Sequence, residues 1–210
     1  MTLENAIGSK EEALKFINEY GVVTLFPIKG KSFPSLYRVT KGNRREKFDN
    51  AWKWADELAT DKAIHYGKLV CKQVSLVSLE LFPASYRLCR TDVVSDPAKK
   101  MLDFIKAHGS TSTTVLRKSL GFWGKGKKYE FAKAMDELQL TFHIAIVGRE
   151  RAPKMTYTYD LIERWMPETL IDKAEKIDKE EARVKVVAKL METQAISKPA
   201  DIGKLLYLSS

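Results

Sequence analysis

Between residues 96 and 166 the spacing of apolar positions changes once, from a helical period to an extended one. Asp96 caps a helix with Pro97 at its first position, and Met101, Leu102 and Ile105 line one face as far as His108-Gly109. A second helix is predicted from the Ser/Thr cluster at 110–114, with Val115, Leu116 and Leu120 buried, ending at Gly121. The Gly/Lys-rich turn FWGKGKK (122–128) follows. A third helix, about 127–140, carries Phe131, Ala134, Met135 and Leu138 at i, i+3, i+4, i+7 spacing. Two β-rich runs, FHIAIVG (142–148) and MTYTYDLI (155–162), are joined by the polar tip RERAPK. Three helices and then a two-stranded wing is the order of a winged helix-turn-helix.

The flanking segments are less regular. Ser9 with Glu11-Glu12 opens a helix that Ala13, Phe16, Ile17 and Tyr20 continue and Gly21 ends. VVTLFPI (22–28) reads as a short buried strand that stops around Pro27. Residues 29–50 read as polar, with a helical turn at Pro34–Val39 and a basic loop at Lys41–Lys47. A short helix is predicted at 51–59, a strand near 66–72, and a helix or strand near 75–88. After 166 the chain is helical. Lys179–Leu190 is amphipathic, and ISKPADIGKLLYL (196–208) resembles the start of a second helix-turn-helix. That tail can pack on a partner protomer, so a homodimer is one expectation. The predicted fold is mainly α with small β. It comprises a mixed α/β N-terminal region (1–95), the winged helix (96–166) and a helical tail (167–210).

Charge sharpens this picture. Residues 98–166 hold 13 Lys and Arg against 7 Asp and Glu, a net of +6 out of the +9 of the whole chain. Residues 1–97 contribute +3 and the tail none. The excess therefore sits on the segment whose predicted fold reads nucleic acid, and double-stranded DNA is the expected partner. On the third helix Tyr129 and Lys133 fall opposite the buried stripe. Lys125, Lys127 and Lys128 lie at its start, Arg117 and Lys118 on the second helix, and Arg149, Arg151 and Lys154 on the wing. Basic groups at a helix start and on a wing suit phosphate contacts. No set of Asn, Gln and Arg on the outward face is placed to read base edges. Asp136 and Glu137, near that face, favour the alternative of a winged helix used for protein contact.

No apolar run approaches the ~20 residues of a membrane span, and the acidic, amphipathic N-terminus is not a signal peptide. Cys71 and Cys89 lack CxxC spacing and read as two reduced thiols of a cytoplasmic protein. No metal or other cofactor is expected, because His108 and His143 have no neighbour at ligand spacing and no phosphate-loop or hydrolase motif occurs. Trp52 and Trp54, with Tyr66, either stack on an unpaired base or fill a small core. Asp56, Glu57, His65 and Glu80 lie within one stretch. Glu57 and Glu80 are the candidates should an acid activate a water; otherwise these acids are surface or cap residues.

The segments GVVTLFPIKGKSFPSLY, WKWADEL and HYGKL, the winged helix and the start of another helix-turn-helix together resemble the AlkZ/YcaQ-type family. That family is best known for DNA glycosylases that unhook alkylated bases and interstrand crosslinks. The resemblance implies tandem winged helices around a DNA-binding cleft, in regulation or repair. It also implies an early Gln-X-Gln or Gln-X-Asp motif that activates the hydrolytic water. The comparable place here is Phe26-Pro27-Ile28, and Gln73, Gln139 and Gln194 are each isolated. A DNA-binding protein without the known chemistry is therefore the leading expectation. A glycosylase-like enzyme and a protein-interaction module are the alternatives.

Overall fold

Ser9 accepts a hydrogen bond from the Glu12 backbone N–H at 3.2 Å and opens α1 (Lys10–Tyr20). The computed structural model describes residues 6–150 and 156–206. Gly21 closes α1 at φ 72°, donating to the Ile17 carbonyl. A Cβ at Gly21 would sit 2.8 Å from Lys189 Cγ and 2.9 Å from Leu81 Cδ2, so only glycine lets the tail pack here. β1 (Val22–Thr24), α2 (Leu36–Val39), α3 (Arg44–Thr60), β2 (Ile64–Lys68) and β3 (Val74–Ser78) follow. The three strands form an antiparallel sheet in the order β1-β3-β2. α4 (Phe82–Cys89) then leads into the next set.

That set comprises α5 (Asp96–His108), β4 (Thr111–Ser112), α6 (Thr113–Ser119), α7 (Lys127–Leu140), β5 (Ile144–Glu150) and β6 (Thr156–Leu161). Its sheet is again antiparallel, in the order β4-β6-β5. The first set runs helix, strand, two helices, two strands, and the second repeats it with the same strand order. The N-terminal region thus has the plan of the segment after it. α8 (Ile162–Trp165), α9 (Glu168–Glu175), α10 (Lys179–Glu192) and α11 (Asp201–Leu206) complete the described residues.

Several local expectations change. The basic segment 41–47 is not a loop beyond Asn43. Asn43 accepts from the Arg45 and Glu46 backbone N–H groups and Glu46 accepts from Asn43 N–H, so α3 starts at Arg44 rather than near 51. The strand predicted over 22–28 ends at Thr24, and residues 75–88 divide into a strand and a helix. Val115 is 46% exposed, because α6 buries only Leu116 and leaves its neighbour in solvent. The architecture is mixed rather than mainly α, with eleven helices and two small antiparallel sheets among the described residues.

The two sets share their cores. One apolar cluster joins Ile17, Leu36, Leu58 and Tyr66 to Met101, Ile105, Leu138 and Ile146. A second joins Val77 and Phe82 to Phe142, Ile162, Val186 and Ile202, which brings α10 and α11 onto the same body. Cys71 and Cys89 are free thiols. No described helix is long and apolar enough to cross a membrane.

Candidate nucleic-acid interface

α7 buries Phe131, Ala134, Met135 and Leu138, as its spacing requires. Tyr129 consequently points out at 77% exposure, with Lys133 one turn further on. Lys118, Lys125, Lys127 and Lys128 are exposed as well. Two of the acids of α7 are engaged by other elements, and the third pairs within the helix. Lys68 Nζ donates to Asp136 Oδ1 at 2.6 Å, which turns that carboxylate toward β2. The Ser95 N–H and hydroxyl each donate to Glu137 at 2.6 Å, at the start of α5. Glu130 is held by Lys127 at 2.7 Å. Among the described residues no acid pairs with Lys118, Lys125, Lys128 or Lys133, so their field is left to solvent.

Two arginines are placed otherwise. The Arg117 guanidinium lies 4.9 Å from the Trp123 ring centroid and 5.5 Å from that of Phe131, as a half-buried filling between two rings. Arg149 does not decorate the wing. Its side chain is 9% exposed and pairs with Asp56 of α3 at 2.6 Å, its guanidinium 4.7 Å from the Trp52 ring. Arg151 and Lys154 lie outside the described residues.

Around that pair the structure assembles rings that the sequence scatters. Phe26 stacks on Phe48 with centroids 5.2 Å apart and also meets Tyr37 and Trp52. Trp52 continues to Tyr157, and Tyr157 to Tyr66. Burial lifts the Tyr157 hydroxyl to about 12, and Tyr66 well above its ordinary value. Phe26, Tyr37, Phe48, Arg44 and Arg45 line an open cavity of about 480 Å³. Only the capping box at Asn43 and the helical spacing of Phe48 and Trp52 hinted at this group.

A family model described as AlkZ related matches residues 7–207 of this fold. The chain belongs to the AlkZ-related family. Among curated proteins and solved structures nothing matches it.

In this AlkZ-related chain the place compared with the glutamine motif is apolar. Phe26 is packed among rings, and neither it nor Pro27 nor Ile28 carries a side-chain group that can hold a water. The four candidate acid/base residues sit in separate settings. Glu57 is partly exposed, 4.0 Å from Lys53 on the same helix. Glu80 lines a cavity with Asn18, Leu81, Lys185 and Lys189. Asp56 holds Arg149. His65 is 1% exposed and stacks on Phe142 at 4.6 Å, and neither ring nitrogen has a hydrogen-bond partner. Trp54 and Tyr66 are core residues, and Trp52 is half-buried. Among the described residues no group of His, Cys, Asp and Glu is placed to hold a metal.

Proposed function

We propose that this AlkZ-related chain binds double-stranded DNA through the phosphate backbone, with 96–166 acting as a winged helix. The observation that carries this reading is the disposition of charge on α7. Its acids Asp136 and Glu137 are engaged by Lys68 and Ser95, and Lys118, Lys125, Lys128 and Lys133 remain exposed without an acid partner among the described residues. Surface lysines with no acid partner attract phosphates and release their condensed counterions. Lys127 contributes less, because Glu130 neutralises it. Arg149 is no longer in the set, and Arg151 and Lys154 lie outside the described residues. Family membership supports DNA as the partner, in regulation or repair. The apolar Phe26-Pro27-Ile28 segment supports binding without glycosylase chemistry, and the reading requires no cofactor.

Binding to a labelled duplex should weaken steeply as salt rises. Lys125→Glu with Lys128→Glu should weaken it about equally across unrelated sequences and reduce the slope of log K against log salt by about two. Fluorescence anisotropy over a salt series reads both effects. An unchanged slope would move the contact off this face, and no binding to any duplex at low salt would end the DNA reading.

A further inference from the structure

Trp123 and Tyr129 are the most exposed aromatic rings among the described residues, at 55% and 77%, and both lie in the segment that carries the exposed Lys125, Lys128 and Lys133. A grip on phosphates alone has no use for them. We infer that this face also stacks on unpaired bases, with Trp123 as the platform, so that the preferred ligand is DNA with a melted or single-stranded segment. The inference rests on the DNA reading above and narrows its ligand.

Three observations converge on it. First, Trp123 is fixed rather than loose. Arg117 lies against its ring on one side and against the buried Phe131 on the other, which ties the exposed indole to the core. Arg117 is therefore a positioning residue for Trp123. Second, the turn that carries Trp123 is open. Gly121, Gly124 and Gly126 have φ of 68°, 98° and 83°, and no atom lies within 4 Å of where a Cβ would stand on any of them. A strand can approach that backbone closely. Third, Lys125 and Lys128 are exposed and follow Trp123 by two and five positions in the chain, within reach of the phosphates of a base stacked on the indole. Stacking on an aromatic ring beside a cationic track is how unpaired nucleic acid is held without sequence preference. In an intact duplex both faces of each base are already stacked, and the ring finds no partner there. A membrane surface fits less well, since Val115 is the one aliphatic side chain among the large exposed apolar residues of 110–133.

The test compares the full chain on a duplex, on the same duplex with a central unpaired bubble, and on the single strand. Trp123→Ala should lose about ten-fold or more in affinity for the bubble and the single strand, by the usual worth of one stacked base. Duplex affinity should stay within about two-fold, since phosphate contacts dominate there, and it also reports that the variant is folded. Trp123→Phe should retain most of the binding. Equal losses on all three ligands, no loss on any, or Trp123-dependent binding to anionic vesicles in place of oligonucleotides would overturn the inference. Lys125→Glu with Lys128→Glu should lower all three affinities, so failure of the backbone reading is seen separately from failure of stacking. No binding to any oligonucleotide would overturn both.

Discussion

Asp56→Ala is expected to destabilise the chain by about 3–5 kcal/mol, the usual cost of leaving one partner of a buried ion pair alone. Arg149 cannot swing into water to escape, because it is 9% exposed and lies between α3 and β5 with its guanidinium over Trp52. For a chain of this size the loss lowers Tm by about 10 °C, at roughly 2–4 °C per kcal/mol. Replacing both partners by apolar residues, Asp56→Leu with Arg149→Met, removes the uncompensated charge, so the double variant should be more stable than Asp56→Ala. Urea denaturation of the two variants decides this. A fall of under about 1 kcal/mol for Asp56→Ala would mean that the pair does not hold the two halves. A double variant no better than Asp56→Ala would mean that the carboxylate matters for contacts other than Arg149.

The second large effect is on acid stability. Burial holds the His65 imidazole at about 3, against 6.5 for a free side chain. Neither ring nitrogen has a hydrogen-bond partner, and the residue is 1% exposed. The folded pKa is lowered, so the unfolded chain binds the proton first. Above pH 6.5 the residue costs nothing; as pH falls from 6.5 toward 3, stability is lost. By pH 4 the loss is about 3 kcal/mol, at 1.36 kcal/mol per unit. His143 adds to it in the same direction, its pKa lowered by burial and by the nearby Arg90 charge. Stability measured from pH 7 to 4 should therefore fall more steeply than in His65→Phe. His65 ring resonances should stay flat in NMR spectra down to about pH 4. A ring that titrates near 6.5 would show that the site is wet.

The legible parts of the fold are those with a long, single period. α5 and α7 run for 13 and 14 residues and repeat their buried apolar residues at helical spacing over about two turns, and they form where the spacing puts them. The first half was harder to read because its parts are short. β1 has three residues and α2 has four, too few for either period to declare itself. The start of α3 was readable from Asn43 and Glu46, but Gly42 and the run of basic residues around them look like a loop. The order of the first sheet emerges only when β3 inserts between β1 and β2.

The candidate interface divides in the same way. Tyr129 and Lys133 face outward because helical spacing from Phe131 leaves them nowhere else to point. Local sequence therefore determines the lysine-rich face and its net charge. What those charges are free to do is decided by partners distant in the chain. Asp136 is engaged by Lys68, Glu137 by Ser95, and Arg149 by Asp56, contacts spanning 68, 42 and 93 positions. The same residue types at the same spacing, without those partners, would make a face of mixed sign and leave Arg149 of β5 unpaired. Charge is a property of each side chain, but the field a surface presents is what remains after the fold has paired the rest. Pairing depends on approach within about 4 Å, because Coulomb attraction falls with distance, and only tertiary packing brings α7 to β2 and α3 to β5.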